Sequence, residues 1–254
     1  MKMVLDPAFL QIPLAHRALH DVSDGRPENS RAAIRAAMAH GYGIEIDLQL
    51  SKDGQAMVFH DYQLERLAEA SGPVRQRTAA ELAGIALRGG DEGVPTFAEV
   101  LALVDGRVPL LVEIKDQDGA LGKNVGVLEA AAAKAARGYD GPLAFMSFNP
   151  ESVAAMARFA PEVPRGLVTE EFDADEWPLV RAAVRDRLRD IPDYDRVGAC
   201  FISHHVSDLK RARVADLKKA GTHVLCWTVK STEIEAEARE VADNVTFEGY
   251  LAAK

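Results

Sequence analysis

Short runs with β-strand character alternate with longer helix-type segments along most of the chain. The β-type runs are 12–17, 43–50, 108–115, 142–148, 164–168, 198–203, 222–229 and 243–247. Strands that are separated by helical crossovers pair in parallel, because the crossover returns the chain to the end of the sheet where it started. About eight such units in 254 residues fit a closed (β/α)8 barrel, or TIM barrel, better than an open sheet. The alternation therefore predicts the α/β class and this barrel.

Helix-type segments fill the intervals between these runs. They are 29–40, 122–137, 150–159, 174–189, 207–220 and 231–242. The interval after the second run is different, because Pro and Gly interrupt it and the next central strand comes late. We interpret 51–95 as a small insertion that opens with a hairpin, since the Asp53-Gly54 pair is a favoured two-residue turn. No linker or repeat divides the sequence, so residues 1–254 are predicted to form a single domain.

Charge and composition restrict the partners. A formal net charge of -9 argues against nucleic acid and anionic membrane surfaces, because both repel acidic proteins. The N-terminus lacks a signal-peptide pattern and no run is long enough to span a bilayer, so we expect a cytoplasmic protein without stable membrane insertion. Cys200 and Cys226 lie in apolar runs without metal-ligand spacing, which predicts buried thiols. The sequence leaves a homo-oligomer open.

Two strands carry carboxylates between apolar residues. In GIEIDLQL (43–50), Glu45 and Asp47 share one face of the strand, and in VPLLVEIK (108–115), Glu113 and Lys115 do the same. In a barrel the continuously apolar face packs against the helices, so these carboxylates point into the interior near its C-terminal mouth. Buried carboxylates need a cation. Three of them suit one divalent cation with oxygen ligands, Mg²⁺ or Ca²⁺.

Two histidines and two cations accompany these carboxylates. His16 ends the first strand and His60 follows the hairpin, and an imidazole is suited to proton transfer near neutral pH. Arg17 and Lys115 supply the positive charges that a phosphate group requires. A metal, two proton-transfer groups and two anion-binding groups together indicate a phosphoester site.

In its ordered motifs the sequence resembles the glycerophosphodiester phosphodiesterase family. The family's His-Arg-Gly and Pro-Glu-Asn-Thr block corresponds to HRALHDVSDGRPENS (16–30), and its Glu-x-Asp, Asp-Gly, His-Asp and Glu-x-Lys motifs correspond to EID, KDG, HD and VEIK. A Pro-Thr before a helix appears as PTFAEVL and the late Trp-Thr-Val as WTV. The motifs keep the family's order. They match well over roughly 14–115 and more thinly to about 230.

The resemblance implies a TIM barrel that hydrolyses glycerophosphodiesters with a divalent metal. The implied roles are metal ligation by Glu45, Asp47 and Glu113, acid–base catalysis by His16 and His60, phosphate binding by Arg17 and Lys115, and an additional ligand or substrate contact by Glu28. Of the two histidines we favour His16 as the base and His60 as the acid. Two departures stand out: Ala18 replaces the family glycine, and ADNVTFEGYLAAK replaces the family's last strand.

Several other residues have a functional and a structural interpretation. Asn29 either caps the helix that follows PENS or donates a hydrogen bond in the site, and Asp61 is expected to orient His60. Trp227 is predicted to line the substrate pocket, with Phe148 a second candidate. The His204-His205 pair is predicted to be structural or exposed. Two other functions stay open: phospholipase-D-like cleavage of lysolipids or other phosphodiesters through a cyclic phosphate, and a non-catalytic sugar-phosphate-binding barrel.

Overall fold

A computed structural model describes residues 3–254. Its strands are β1 Leu14–Ala15, β2 Gly43–Leu50, β3 Ala56–Val58, β4 Leu110–Ile114, β5 Leu143–Ser147, β6 Arg165–Thr169, β7 Phe201–His205, β8 His223–Val229 and β9 Asn244–Phe247. Its helices are α1 Ala8–Gln11, α2 Arg31–Ala39, α3 Ala79–Ala83, α4 Phe97–Val104, α5 Val127–Ala136, α6 Pro150–Phe159, α7 Ala182–Arg189, α8 Ala212–Lys219 and α9 Thr232–Ala238. None of these helices is long and apolar enough to cross a bilayer.

Eight parallel strands close into a barrel, which confirms the predicted fold. The order runs β1-β9-β8-β7-β6-β5-β4-β2, and β1 also pairs with β2, so the sheet has no open edge between its first and last strands. The remaining strand, β3, pairs antiparallel with β2 and forms the hairpin arm. Its turn contains Gly54 at φ +76°, a left-handed conformation that favours glycine.

The two faces of the strands form two different cores. Ile44, Ile46 and Leu48 of β2 belong to the large apolar cluster between the barrel and its helices. The opposite face points into the barrel, where Leu111 and Phe201 join a second cluster. Helix α1 closes the lower end of that interior: its Phe9 is fully buried there, and Asn244 donates hydrogen bonds to the carbonyls of Phe9 and Ile12.

The segment between β2 and α4 has an apolar cluster of its own. Its buried members are Met57, Phe59, Leu64, Ala68, Val74, Leu82, Leu87 and Val94. The segment is joined to the barrel by backbone hydrogen bonds, including one of 2.9 Å from Phe59 N–H to the carbonyl of Asp47. This bond brings the chain back beside β2 immediately before His60.

The structure corrects several boundaries. The helix predicted at 122–137 begins at Val127, and the one predicted at 207–220 begins at Ala212. The helix predicted at 174–189 begins only at Ala182. Pro178 lies inside the predicted span, where it would remove a backbone donor, and the preceding Trp177 packs against aromatic side chains of the barrel mouth instead. The strand predicted at 198–203 is shifted to Phe201–His205, because Gly198 has φ +62° and the chain is not extended there.

Candidate active site

Three carboxylates meet at the C-terminal mouth of the barrel. Glu45 and Asp47 lie two residues apart on β2, and Asp47 is the direct register partner of Glu113 on β4. Alternation along the two strands turns all three side chains inward, and one carboxylate oxygen from each lies within 4.8 Å of the others. All three residues are buried. This is the arrangement that the sequence predicts for these residues.

The carboxylates differ in their electrostatic environment. Burial, together with the charges of Asp47 and Glu113, raises the pKa of Glu45 well above its ordinary value. Burial would also raise the pKa of Asp47, but Lys115, His60 and Arg17 outweigh it and keep this carboxylate ionised. Lys115 places its Nζ 2.9 Å from Asp47 Oδ1 and 2.9 Å from Glu113 Oε1. An ammonium group has three donors, so one remains for another partner.

Arg17 and its neighbours leave the first strand in an unusual backbone conformation. Arg17 and Ala18 have φ values of 52° and 64°. This turn aims the Arg17 N–H at Glu45 Oε2 (2.9 Å), while the guanidinium donates to Glu28 Oε1 (2.9 Å). Within the described residues Arg17 Nε has no hydrogen-bond partner although it is buried. A left-handed conformation in non-glycine residues costs free energy and is common where a site requires it.

Asn29 holds the carboxylate of Asp47 and does not cap the helix. Its Nδ2 donates to Asp47 Oδ2 (2.9 Å). The cap of α2 is Ser30, whose side chain accepts from the backbone N–H of Ala33. The two roles considered for Asn29 are therefore filled by two adjacent residues: Asn29 makes the hydrogen bond in the site and Ser30 caps the helix.

His16 is paired with a carboxylate from the last strand. Glu248 follows β9 and places Oε2 2.6 Å from His16 Nδ1. The same carboxylate lies 3.7 Å from His20 Nε2 and 3.0 Å from Lys230 Nζ. Burial lowers the pKa of His16, although the hydrogen bond to Glu248 raises it. The imidazole is therefore neutral near pH 7, with Nδ1–H held by Glu248 and Nε2 free to accept a proton.

His60 has a carboxylate partner of its own. Asp61 Oδ1 lies 2.6 Å from His60 Nδ1, as expected from the His-Asp pair. Arg66 donates to both oxygens of Asp61 and also to Glu28. Because Glu28 also binds Arg17, a continuous row of ion pairs connects His60 to the first strand.

These side chains line one cavity of about 470 Å³. Its walls include His16, Arg17, His20, Glu28, Glu45, His60, Arg66, Glu113, Lys115, Phe148, His205, Trp227, Lys230 and Glu248. A second, more apolar cavity of about 560 Å³ lies beside it. Both are bordered by His60, Lys115, Glu113, Phe148 and Trp227. The site therefore has a polar compartment and an apolar compartment with one histidine between them.

The predicted set is brought together almost completely. Eight of the nine candidate residues line the polar cavity. The exception is Asp47, whose carboxylate forms an ion pair with the cavity residue Lys115. Of the His204-His205 pair, His204 is fully buried between Thr169 and Asp208 and is structural. His205 instead lines the cavity, with its ring 4.7 Å from that of Trp227.

Sequence reasoning missed the partners that hold the histidines. Glu248 follows the strand that departs from the family pattern, and a carboxylate at the end of the last barrel strand was the signal that could have found it. Arg66 lies in the insertion, where no local pattern distinguishes it from a surface arginine. His20 and Lys230 join them only because the barrel closes.

The charge balance tests whether a metal fits. The carboxylates of the site are Glu28, Glu45, Asp47, Asp61, Glu113 and Glu248, and the permanent cations are Arg17, Arg66, Lys115 and Lys230. If all six carboxylates are ionised and the histidines neutral, the four cations leave an excess of about two negative charges, and burial together with this excess raises the pKa of Glu45. The excess is concentrated at Glu45, which is buried without an ion-pair partner of its own among the described residues. The donor set therefore fits a divalent cation with oxygen ligands.

A TIM barrel with histidines, carboxylates and cationic side chains at its mouth defines the class, a barrel hydrolase acting on phosphodiesters. The model of the glycerophosphoryl diester phosphodiesterase family matches residues 16–245, and the chain belongs to this family. It is an enzyme, a phosphoric diester hydrolase, as the sequence predicts.

Individual relatives agree with this assignment. The chain is 29% identical over 229 residues to a glycerophosphodiester phosphodiesterase of Caldanaerobacter subterraneus, a match that covers 87% of this chain and 86% of the relative. A phosphodiesterase from Oleispira antarctica, solved in complex with the product sn-glycerol-3-phosphate, superposes with a TM-score of 0.76 at 25% identity, covering 95% of this chain and 94% of that one. A Thermotoga maritima glycerophosphodiester phosphodiesterase shares the fold, with a TM-score of 0.70 at 20% identity over 93% of this chain and 94% of that one.

Proposed function

We propose that the protein hydrolyses glycerophosphodiesters to an alcohol and a glycerol phosphate, with one divalent cation and two histidines acting as base and acid. The observation that carries the proposal is that His16 and His60 line the same cavity and that each has its Nδ1 held by a carboxylate at 2.6 Å. A binding protein needs no such pair of oriented imidazoles, whereas general acid–base catalysis does.

The phosphate group is assigned to Arg17 and Lys115. Arg17 keeps a buried Nε that makes no hydrogen bond within residues 3–254 and lies 3.8 Å from Asp47 Oδ2, and Lys115 keeps one unused donor. Both groups face the cavity from the side where the carboxylates lie. Charge that develops on the phosphate oxygens would be stabilised by these donors without reorganisation, because their partners already hold them in place.

Glu45, Asp47 and Glu113 would hold the divalent cation, Mg²⁺ or Ca²⁺. When bound there, the cation supplies Lewis-acid stabilisation of charge on the phosphate. Glu28 is proposed to act through Arg17, which it fixes at 2.9 Å. Trp227 borders both cavities and is assigned to substrate binding.

The surroundings of the two histidines favour His16 as the base and His60 as the acid. His16 is neutral near pH 7, so its Nε2 accepts the proton of the attacking hydroxyl, which belongs either to water or to the substrate. His60 lies between the two cavities and can protonate the oxygen of the alcohol that leaves into the apolar one. The bond from phosphorus to that oxygen breaks as the proton arrives.

We also propose that residues 1–254 act as one domain in this reaction. The insertion 51–95 contributes His60 and Arg66, so it belongs to the site and is more than a surface decoration. The substrate is a small molecule, and the location in the cell is proposed to be cytoplasmic.

The test is a panel of glycerophosphodiesters assayed with chelator and after add-back of Mg²⁺ or Ca²⁺. We expect activity to disappear in chelator, to return with the metal, and to be lost in Glu45→Gln but not in the exposed control Glu240→Gln. Full activity of Glu45→Gln, or of the wild type in chelator, would refute the metal mechanism. Phosphorus NMR of the products distinguishes an open from a cyclic phosphate and so identifies the nucleophile.

A further inference from the structure

The apolar cavity is walled by aromatic side chains. Tyr62, Phe148, Trp177 and Trp227 line it. The Phe148 ring centroid lies 4.9 Å from that of Trp177 and 5.4 Å from that of Trp227, so three rings meet around one space. The sequence has only two tryptophans, and both are in this wall.

The aromatic walls are fixed by hydrogen bonds. Trp177 donates its indole N–H to Glu170, and Trp227 donates to the carbonyl of Ser203 (3.0 Å). Tyr62 donates its hydroxyl to the carbonyl of Asp116 (2.7 Å). Since these acceptors occupy the polar atoms of Trp177, Trp227 and Tyr62, the rings themselves offer a ligand aromatic surface and little hydrogen-bonding capacity.

The cavity also has an excess of negative charge. Glu170 and Glu176 line it, and neither forms an ion pair within residues 3–254. Burial raises the pKa of Glu170 to about 7, and the neighbouring acids Glu176, Glu171 and Asp173 raise it in the same direction. A cation in the cavity would relieve this repulsion, whereas an anion would increase it.

We propose that this cavity binds the leaving alcohol and selects alcohols that carry a quaternary ammonium group. Such a group has no N–H to donate, so it loses no hydrogen bond against an aromatic wall whose polar atoms are occupied. It gains cation–π attraction, and because a nearby cation favours the ionised form of a carboxylate, it also gains the charge of Glu170. The proposal rests on the proposed function, because the cavity shares His60 with the phosphate site and the substrate must span both.

The first test compares two substrates of nearly equal shape. Glycerophosphocholine carries a trimethylammonium, and its 3,3-dimethylbutyl analogue has carbon in place of nitrogen. We expect kcat/KM to favour the ammonium substrate by about 10-fold or more, the range of a desolvated cation–π contact. In Trp177→Leu this ratio should fall towards one. The matched control is Phe159→Leu, an exposed aromatic on α6 outside the cavity, which should keep the wild-type ratio.

A ratio near one in the wild type would overturn the proposal, because the cavity would then recognise shape alone. No turnover of any diester would instead overturn the proposed function. Running lysophosphatidylcholine beside glycerophosphocholine identifies which source delivers the ammonium group, since both release the same alcohol.

The second test needs no catalysis. Because both tryptophans line the cavity, intrinsic fluorescence reports its occupancy directly. Titration with tetramethylammonium should give a saturable change that the neutral 3,3-dimethylbutanol does not reproduce at equal concentration. Glu170→Gln should weaken this binding by about 3- to 10-fold, as expected for removing one charge near a partly buried cation. Absence of a saturable change, or equal binding of the neutral alcohol, would contradict the proposal.

Discussion

Glu248→Gln would test the contact on which the proposed base depends. In the structure Glu248 accepts the Nδ1–H of His16 at 2.6 Å, fixing the ring orientation and leaving Nε2 towards the cavity. Glutamine has nearly the same shape but no charge, and its amide oxygen can accept this hydrogen only as a neutral hydrogen bond. The substitution therefore removes the charge-assisted bond while keeping the volume of the side chain.

The magnitude follows from that bond. A hydrogen bond to a charged group contributes about 1.5–3 kcal/mol. A neutral hydrogen bond contributes about 1–1.5 kcal/mol less, and if this difference is lost when His16 becomes an imidazolium in the transition state, kcat falls about 5- to 13-fold. The pH profile should also move. Glu248 raises the pKa of His16, so its removal lowers that pKa further and shifts the acid limb of kcat/KM to lower pH.

Steady-state kinetics across pH, with the exposed Glu240→Gln as the matched control, measures both effects. A positioning role requires a loss in kcat with KM nearly unchanged and a displaced acid limb. If instead KM rises while kcat and the pH profile keep their wild-type values, Glu248 contacts the substrate and the assignment of His16 as base loses its support.

Three further predictions address the site and the core. Mg²⁺ or Ca²⁺ at about 100 times its Kd should raise Tm of the wild type by about 5 °C in thermal unfolding and leave Glu45→Gln unchanged; an equal shift in the variant would contradict the ligand assignment. Asn29→Ala should cost about 2 kcal/mol and weaken metal binding, because Asp47 loses a donor, whereas Ser30→Ala should cost about 1 kcal/mol and leave metal affinity intact. Burial lowers the pKa of His204 to about 4, so stability falls as the pH drops from about 6.5 towards 4, by about 1.4 kcal/mol per unit. In urea unfolding at about pH 7 and pH 4.5, His204→Gln should lose less stability than the wild type; an equal loss would show that His204 does not drive it.

The parts of the site that the sequence predicts are those governed by local periodicity. The two-residue period of β2 and β4 determines that Glu45, Asp47 and Glu113 face inward, and parallel register then places Asp47 opposite Glu113. The position of His60 follows from a turn whose glycine is visible in the sequence. These residues could be predicted because His60 is close to β2 along the chain, and because the rule that parallel neighbouring strands align their inward-facing residues applies to any barrel.

The missed residues depend on contacts that no local rule encodes. His16 and Glu248 are separated by 232 positions and meet only because β1 lies between β2 and β9. Trp177 was expected on a helix, and it lies instead in a loop that follows β6, where aromatic packing outweighs helical periodicity. The contacts of these side chains are determined by their position in the barrel and not by the neighbouring residues in the sequence.

The two histidines are therefore held by different parts of the fold. His60 is oriented by Asp61 and Arg66, all within the segment that packs around its own apolar cluster beside β2. His16 is oriented by Glu248, which comes into place only when the last strand closes the barrel on the first. The three buried carboxylates Glu45, Asp47 and Glu113 need neither event, since β2 and β4 are direct neighbours. A partly formed barrel could thus assemble its carboxylates while His16 is not yet oriented, so the proposed catalysis, in contrast to the proposed cation binding, requires the complete fold.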